Sequence, residues 1–426
     1  MARDSLYPVS VKAGKPILGM LPKGWQKLSL EKCLNIEARK AYIQDNQEYD
    51  LVTVKRSRGG VIRREHLKGK DISVKSQFYI KEGDFLISKR QIVHGACGLV
   101  PKELSGSIVS NEYCVLTGKP DFYLPYMEFL SESLYFQQTC FHSSIGVHIE
   151  KMIFKLDSWF KWPFNIPPLS EQKRIVTILS TWDKAISVTE KLLTNSQQQK
   201  KALMQQLLTG KKRIRGFWDK FKKYHLSEIV KIDSNNLGAN TLGSFKFKYI
   251  SLSDVKLGKI SQNLEEHLYQ TAPSRARRVV HTGDILLSTV RPGLQGFALV
   301  TNHHNGCIAS TGFAVLTPQK GICGDYIYHC LFSSYITEQI DALVVGTNYP
   351  AINSSDVASL SIYCPSFDEQ VRIAAILNNC DAEISTLEKT LACLKDEKKA
   401  LMQQLLTGNR RVSVQVKVEE KESVSA

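Results

Sequence analysis

The most regular hydrophobic pattern of the chain lies in two long segments, one in the middle and one near the end. Apolar side chains recur there at alternating spacings of four and three, which is the heptad pattern of a coiled coil. Neither segment contains proline or glycine between its predicted N-cap, Ser170 or Asp368, and its closing glycine, Gly210 or Gly408. Each segment therefore predicts one long helix.

The two heptad stripes define the faces along which these helices should pack. A lysine, Lys200 or Lys398, interrupts each stripe at the same place, either to fix the register or to extend outward from the seam. The pattern favours a coiled coil over two amphipathic helices packed separately on globular cores, because it exceeds a typical helix length. The apolar members of the predicted seam are Ile175, Leu179, Trp182, Ile186, Leu193, Leu203, Leu207, Ile373, Leu377, Ile384, Leu387, Leu391, Leu394, Leu401 and Leu405.

The two helical segments are copies of each other. KALMQQLLTG ends both, and 24 of 44 positions are identical when 167–210 is aligned with 365–408 without a gap. Such a match indicates an internal duplication. Because the intervening domain follows the first helix closely, the second helix should run back antiparallel, so that the two halves are related by a pseudo-twofold axis.

Two globular domains of one plan are predicted beside the helices. Gly83-Asp84 and Gly283-Asp284 precede matching apolar runs, and short β-like runs alternate with short helical ones. We therefore expect an α+β fold with two mixed α/β domains. The Gly-Asp pairs predict turns, with phosphate binding as the less favoured alternative. The expected divisions are an N-terminal extension (1–20), a first domain (21–166), helix 1 (167–210), a second domain (211–364), helix 2 (365–408) and a flexible tail (409–426).

Charge points to a polyanionic partner. Lys and Arg total 56 against 41 Asp and Glu, a net charge of +15, which favours nucleic acid or an anionic membrane over a generally basic surface. No apolar run approaches the roughly 20 residues of a membrane span, and because no apolar run follows Arg3 and Asp4 we expect no signal peptide. The ten cysteines lack CxxC spacing and predict a cytoplasmic protein with reduced thiols. His303, His304 and Cys307 lack a second ligand pair, so no metal site is expected.

Basic side chains that could contact nucleic acid form several groups. Arginine can bond guanine in a bidentate manner, whereas lysine mostly contacts phosphate. Segment 54–70 is split by two glycines and predicts a hairpin or loop, and the basic run 211–223 could contact DNA or a partner protein. A solvated charged face remains the alternative for any single residue. The candidates are Lys55, Arg56, Arg58, Arg63, Arg64, Lys68, Lys89, Arg90, His94, Arg275, Arg277, Arg278 and Arg291.

Several motifs, in an order that occurs twice, resemble those of the type I restriction-modification specificity subunits. They are PPLSEQKRI (167–175), CPSFDEQVRI (364–373), GDILLSTVRPG (283–293), STGFAVL (310–316) and YPAINSSDV (349–357). The resemblance implies two target-recognition domains on an antiparallel helical ruler, which read an asymmetric, bipartite DNA site with a gap. Residues 1–20 have no counterpart in the family pattern.

The resemblance also implies that the chain has no catalytic residues and binds no cofactor itself. Two copies of a methyltransferase subunit would bind the outer faces of 171–208 and 369–406, and a restriction and translocase subunit would complete the complex. S-adenosylmethionine, ATP and Mg²⁺ are expected in those partners. The alternatives are a coiled-coil scaffold that does not bind DNA and the specificity module of a stand-alone restriction-modification enzyme. The sequence lacks an Asn-Pro-Pro-aromatic motif, a G-x-x-x-x-G-K-[ST] loop and a nuclease set, which argues against an independent enzyme.

Overall fold

The computed structural model describes residues 14–346 and 350–412. The chain divides into two compact units: unit 1 comprises Met1–Val188 with Leu391–Ala426, and unit 2 comprises Thr189–Thr390. Each unit contains one globular domain and one half of each long helix. Within the described ranges, no helix is both long and apolar enough to cross a membrane.

Unit 1 contains the first domain. Its helices are α1 (Tyr126–Leu130), α2 (Leu134–His142), α3 (Leu156–Phe160) and the first half of α4 (Leu169–Leu207). Its strands are β1 (Gln26–Ser29), β2 (Leu34–Glu37), β3 (Lys40–Tyr42), β4 (Glu48–Val54), β5 (Val61–Lys68), β6 (Ser76–Tyr79), β7 (Phe85–Ser88), β8 (Cys97–Leu99), β9 (Ile108–Ser110), β10 (Tyr113–Gly118), β11 (Ser144–Ile145), β12 (Ile153–Phe154) and β13 (Pro163–Ile166).

These strands form two main sheets. One has the order β2-β10-β7-β8, and the other has the order β3-β6-β9-β4-β5, in which β4 and β9 run parallel. A short ladder of β1 with β13 closes the domain where the chain enters and leaves it. The buried Trp159 ring packs edge-on against Phe136, with 5.3 Å between ring centroids, and anchors the core beside α2.

Unit 2 repeats this plan. Its helices are α5 (Leu226–Ile229), α6 (Gly324–Leu331), α7 (Ser334–Leu343), α8 (Ser354–Ser359) and the first half of α9 (Phe367–Leu406), and the second half of α4 joins them. Its strands are β14 (Lys222–His225), β15 (Val230–Ile232), β16 (Lys246–Ile250), β17 (Val255–Lys256), β18 (Lys259–Ile260), β19 (Glu265–Leu268), β20 (Ala276–Val279), β21 (Ile285–Ser288), β22 (Phe297–Leu299), β23 (Ile308–Ser310), β24 (Phe313–Pro318) and β25 (Ser361–Cys364).

The two main sheets of unit 2 repeat the strand orders of unit 1, except that the edge strand β3 has no counterpart among the described residues of unit 2. The order β15-β24-β21-β22 repeats β2-β10-β7-β8, and β20-β23-β16-β19 repeats β6-β9-β4-β5. The ladder of β14 with β25 repeats that of β1 with β13. The predicted α+β fold with an internal repeat is therefore confirmed.

The long helices pair antiparallel inside each unit, which confirms the predicted coiled coil. In unit 2, Ser196 donates to Glu383 at 3.0 Å, and Lys200 Nζ lies 2.5 Å from Asp381 Oδ1, so partner numbers fall on α9 as they rise on α4. In unit 1, the later part of α9 returns beside the start of α4. All the stripe residues named from the sequence are buried or half-buried.

The seam lysines bind across the helix pair instead of extending into solvent. Lys398 Nζ lies 2.6 Å from Asp183 Oδ1 in unit 1, which repeats the contact of Lys200 with Asp381 in unit 2. The same pairing occurs at matched positions of both copies. Of the two roles left open for these lysines, it favours fixing the register.

The helix starts correct one expectation. The helices begin at Leu169 and Phe367, so Ser170 and Asp368 lie within the first turn and are not the N-caps. Instead, the carbonyls of Pro168 and Ser366 accept the first backbone hydrogen bonds.

Candidate nucleic-acid interface

The basic segment 54–70 forms the turn and second strand of the β4–β5 hairpin. Ser57 and Arg58 adopt left-handed φ angles of 55° and 56°, and Gly60 has φ 82°, which reverses the chain tightly. The turn is fixed to the loop after β7, because the Ser57 amide donates to the His94 carbonyl at 2.7 Å. The hairpin expected from the two glycines is thus present.

Cross-strand ion pairs cover the solvent face of this hairpin. Arg63 Nη2 lies 2.9 Å from Asp50, and the His66 ring contacts Asp50 at 2.7 Å and Glu48 at 3.3 Å. The hydrogen bonds with Asp50 and then Glu48 raise the pKa of His66. Arg64 lies 3.3 Å from its neighbour Glu65. Because these pairs are exposed and individually weak, their cations can exchange a carboxylate for a DNA phosphate or base.

The hairpin turn brings three more candidates together. Arg56 Nη2 lies 2.7 Å and His94 Nε2 3.1 Å from the Glu150 carboxylate. Burial lowers the pKa of His94 and outweighs the attraction of Glu150. Arg58 lines a cavity of about 220 Å³ with Asp183 and Lys398 of the same unit, next to the helix pair.

The remaining candidates of unit 1 lie apart from this group. Lys89 Nζ donates to the Asn111 carbonyl at 2.6 Å, and Arg90 pairs with Glu112 at 2.6 Å. Lys55 and Lys68 are exposed and form no ion pair with any residue that the structure describes.

The arginines of the second domain have unlike surroundings. Arg278 lies 2.9 Å from the buried Asp233 carboxylate and donates to Asn236 at 3.0 Å, so it holds β20 to the segment after β15. Arg277 stacks on Tyr269, with 5.1 Å from guanidinium carbon to ring centre. Arg275 is exposed. This geometry favours Arg275 as a DNA contact and gives Arg278 a structural task.

Arg291 begins the short turn after β21. Its left-handed φ of 50° and the bond from its amide to the Pro350 carbonyl at 2.7 Å fix the backbone, while the side chain is exposed. The thirteen DNA contacts named from the sequence stay predictions.

Sequence reasoning missed the fixed junction between each domain and its helices. In unit 1, Arg411 makes a bidentate pair with Glu171 at 2.9 and 2.8 Å, and Trp25 Nε1 donates to the same carboxylate at 3.0 Å. Burial alone would raise the pKa of Glu171, but the bonds from Arg411 and Trp25 outweigh it and lower the pKa. Arg411 was expected in a flexible tail, and that expectation is wrong for this residue; 413–426 lies outside the described residues.

Unit 2 repeats this junction with residues of the basic linker. Arg213 pairs with the buried Glu369 at 2.9 and 2.6 Å and stacks on Phe221 at 5.1 Å. Arg213 and Arg411 lie at matching offsets from the two helix ends, and this sequence signal could have marked both arginines, though not their partners.

The Gly-Asp pairs form turns, and their carboxylates are fully used. Asp84 accepts from the Lys81 amide at 2.7 Å and from Arg39, and Asp284 accepts from the His281 amide at 2.7 Å and the Thr317 hydroxyl. Carboxylates in these positions would repel phosphate.

In the group of His303, His304 and Cys307, the ring of His304 has a structural role. Both ring nitrogens of His304 are engaged, by Thr301 Oγ1 at 3.0 Å and the Ser261 carbonyl at 3.1 Å. Over residues 14–346 and 350–412, no group of three or more His, Cys, Asp or Glu is arranged to hold a metal ion.

Comparison with known proteins agrees with this architecture. A family model described as the type I restriction modification DNA specificity domain matches residues 22–195 and 219–395. The type I restriction enzyme MjaVIII specificity subunit of Methanocaldococcus jannaschii is 28% identical over 316 residues, covering 68% of this chain and 71% of that protein. The HindI specificity subunit of Haemophilus influenzae is 28% identical over 167 residues, covering 38% of this chain and 36% of that protein.

Solved structures show the same fold at low identity. The HsdS subunit from Thermoanaerobacter tengcongensis matches with a TM-score of 0.50 and 20% identity, over 92% of this chain and 99% of that one. The type I restriction-modification S subunit from M. genitalium matches with a TM-score of 0.58 and 14% identity, again over 92% and 99%.

Proposed function

The chain belongs to the family of type I restriction modification DNA specificity domains, and on that premise we propose that it selects the DNA sequence on which a type I restriction-modification complex acts. Each unit would read one half-site. The two half-sites would differ in sequence and be separated by a gap of fixed length.

One observation carries this proposal: a single chain contains the same domain fold twice with different exposed surfaces. The tight turn that joins β4 to β5 in unit 1 corresponds in unit 2 to the longer segment 251–264, which contains β17 and β18. Two readers of one fold but unlike surface suit an asymmetric bipartite site, whereas identical readers would suit a palindrome.

The chemistry would belong to partner proteins. Two copies of a methyltransferase subunit would use S-adenosylmethionine to methylate an adenine in each half-site, and a restriction subunit would use ATP and Mg²⁺. The outer faces of 171–208 and 369–406 are the proposed partner surface. In support, Phe367 and Val371 lie one turn apart near the start of α9 and expose 46% and 41% of their surface, so together they offer an apolar contact that a partner could cover.

Mapping of methylated adenines in the source genome, with and without this gene, tests the proposal. We expect a motif of two unlike parts around a constant gap that disappears when the gene is deleted. A methylation pattern that does not change on deletion contradicts the proposal. A scaffold that does not bind DNA would also show no steep loss of DNA retention as salt rises, whereas a reader that contacts phosphates must.

A further inference from the structure

Strand register identifies the part of unit 2 that corresponds to the β4–β5 hairpin of unit 1. On β4, Leu51 pairs with Ile108 of the parallel strand β9, and the antiparallel strand β5 lies on the other side. On β16, Tyr249 pairs with Ile308 of the parallel strand β23, and the antiparallel strand β19 lies on the other side. The strand pair β16–β19 therefore holds the place of β4–β5.

In unit 1, the inner strand of this pair carries acids on its solvent face and the edge strand carries bases. Asp50 is paired in register with His66, and Glu48 is paired with Lys68. The contact of Asp50 with His66 at 2.7 Å links the two strands across this face.

In unit 2, three of the four matched positions carry the opposite charge, and the fourth is apolar. Lys248 is paired in register with Glu266, and Lys246 is paired with Leu268. Lys246 Nζ lies 2.7 Å from Glu266, whereas Lys248 is exposed and has no ion pair within the residues described. The inner strand is thus basic where its counterpart is acidic, and the edge strand is acidic or apolar where its counterpart is basic.

This inversion matters because the DNA major groove admits a two-stranded β-ribbon and presents a different pattern of donors and acceptors for each base pair. Lysine donates to guanine, a carboxylate accepts from the cytosine amino group, and an apolar side chain contacts the thymine methyl group. Exchanging donors for acceptors at matched positions would make two domains of one fold prefer unlike bases.

We propose that the solvent face of β16–β19, formed by Lys246, Lys248, Glu266 and Leu268, reads bases of the second half-site in double-stranded DNA. The proposal rests on the function proposed above and places these residues where β4–β5 stands for the first half-site. It also moves the base-reading surface of unit 2 away from β20, where Arg278 is bound to Asp233.

Selection from a randomised duplex DNA library tests this surface, using the full chain assembled with the methyltransferase subunits. Lys248→Ala should weaken base preference about tenfold at one or two positions of one half-site, leaving the other half-site and the gap unchanged. Asp50→Ala should alter the other half-site. Lys320→Ala removes another exposed lysine, from the turn after β24, and should alter neither half-site.

The outcomes separate this inference from the function on which it rests. If the wild-type complex selects no gapped motif, the proposed function fails. If it selects a motif that Lys248→Ala leaves intact, or changes no more than Lys320→Ala does, only the β16–β19 surface is refuted. Equal thermal melting of the variants checks folding, and Lys248→Arg, which keeps a donor, should retain more of the preference than Lys248→Ala.

Discussion

Replacement of Arg411 by methionine isolates the junction between the end of the described chain and the start of α4. The Glu171 side chain is only 3% exposed, and Arg411 supplies two of its hydrogen bonds and its neutralising charge. Breaking a buried ion pair costs about 3–5 kcal/mol. Because the Arg411 side chain is 43% exposed, water screens part of this loss. We expect Arg411→Met to lower the free energy of unfolding by about 2 kcal/mol.

Thermal unfolding measures this loss. For a protein unit of this size, a loss of about 2 kcal/mol lowers Tm by about 4–8 °C. The pH dependence gives a second readout, because the pKa of Glu171 is depressed in the folded protein. The contribution of the pair is present above the pKa of an ordinary glutamate, about 4.5, and is lost as pH falls through the lower folded value. The difference between wild type and Arg411→Met should therefore shrink at acid pH.

A double-mutant cycle with Glu171→Gln decides whether an unpaired carboxylate causes the loss. In the Glu171→Gln background, Arg411→Met should have much less effect. An equal effect in both backgrounds would refute the reasoning, as would a Tm that does not change. Arg213→Met is the matched change in unit 2, where Glu369 is 1% exposed, and should destabilise by a similar amount.

Three further changes test other parts of the structure. Lys200→Met should lower the free energy of unfolding by less than about 1 kcal/mol, because its partner Asp381 is 40% exposed. The double change Lys200→Asp with Asp381→Lys should restore the stability of the wild type in thermal melts. A loss greater than about 1 kcal/mol in Lys200→Met would contradict the argument from exposure. Asp284→Ala leaves the His281 amide and the Thr317 hydroxyl without an acceptor and should lower the free energy of unfolding by about 1–3 kcal/mol, measured in urea. An unchanged urea midpoint would contradict a stabilising role for this turn. Arg278→Ala should destabilise unit 2 by about 2 kcal/mol, because it leaves Asp233 unpaired. Arg275→Ala should leave Tm unchanged and reduce the salt dependence of DNA binding by about one phosphate contact. The reverse result would make Arg275 the structural residue and Arg278 the DNA contact.

The helices and the repeat could be predicted from the sequence, because a coiled coil and a duplication both leave regular patterns of residues. A heptad stripe fixes which side chains are buried, and the identical helix endings reveal the duplication without knowledge of any fold. The hairpin at 54–70 was also predictable, since Gly59 and Gly60 mark a turn between strand-like runs.

The tertiary partners of the charged side chains could not be predicted from the sequence. Nothing local indicates that Arg411 reaches Glu171 across 240 positions, or that Arg278 binds Asp233 instead of remaining available to DNA. The correspondence of β16–β19 with β4–β5 was hidden for a related reason. Three of the four matched positions carry opposite charges and the fourth is apolar in unit 2, so similarity of residues could not align them. Strand register alone brings them into correspondence.

The short ladders of β1 with β13 and of β14 with β25 have a consequence for inheritance. Because each ladder brings the two ends of a domain together, the polypeptide between them can be replaced by another of the same plan without moving the helices. A gene built in this way can acquire a new DNA preference in one step, by exchange of one cassette, while its helix pair is inherited unchanged. The segments that can vary in what they recognise and the helices that stay constant are thus separated along the chain.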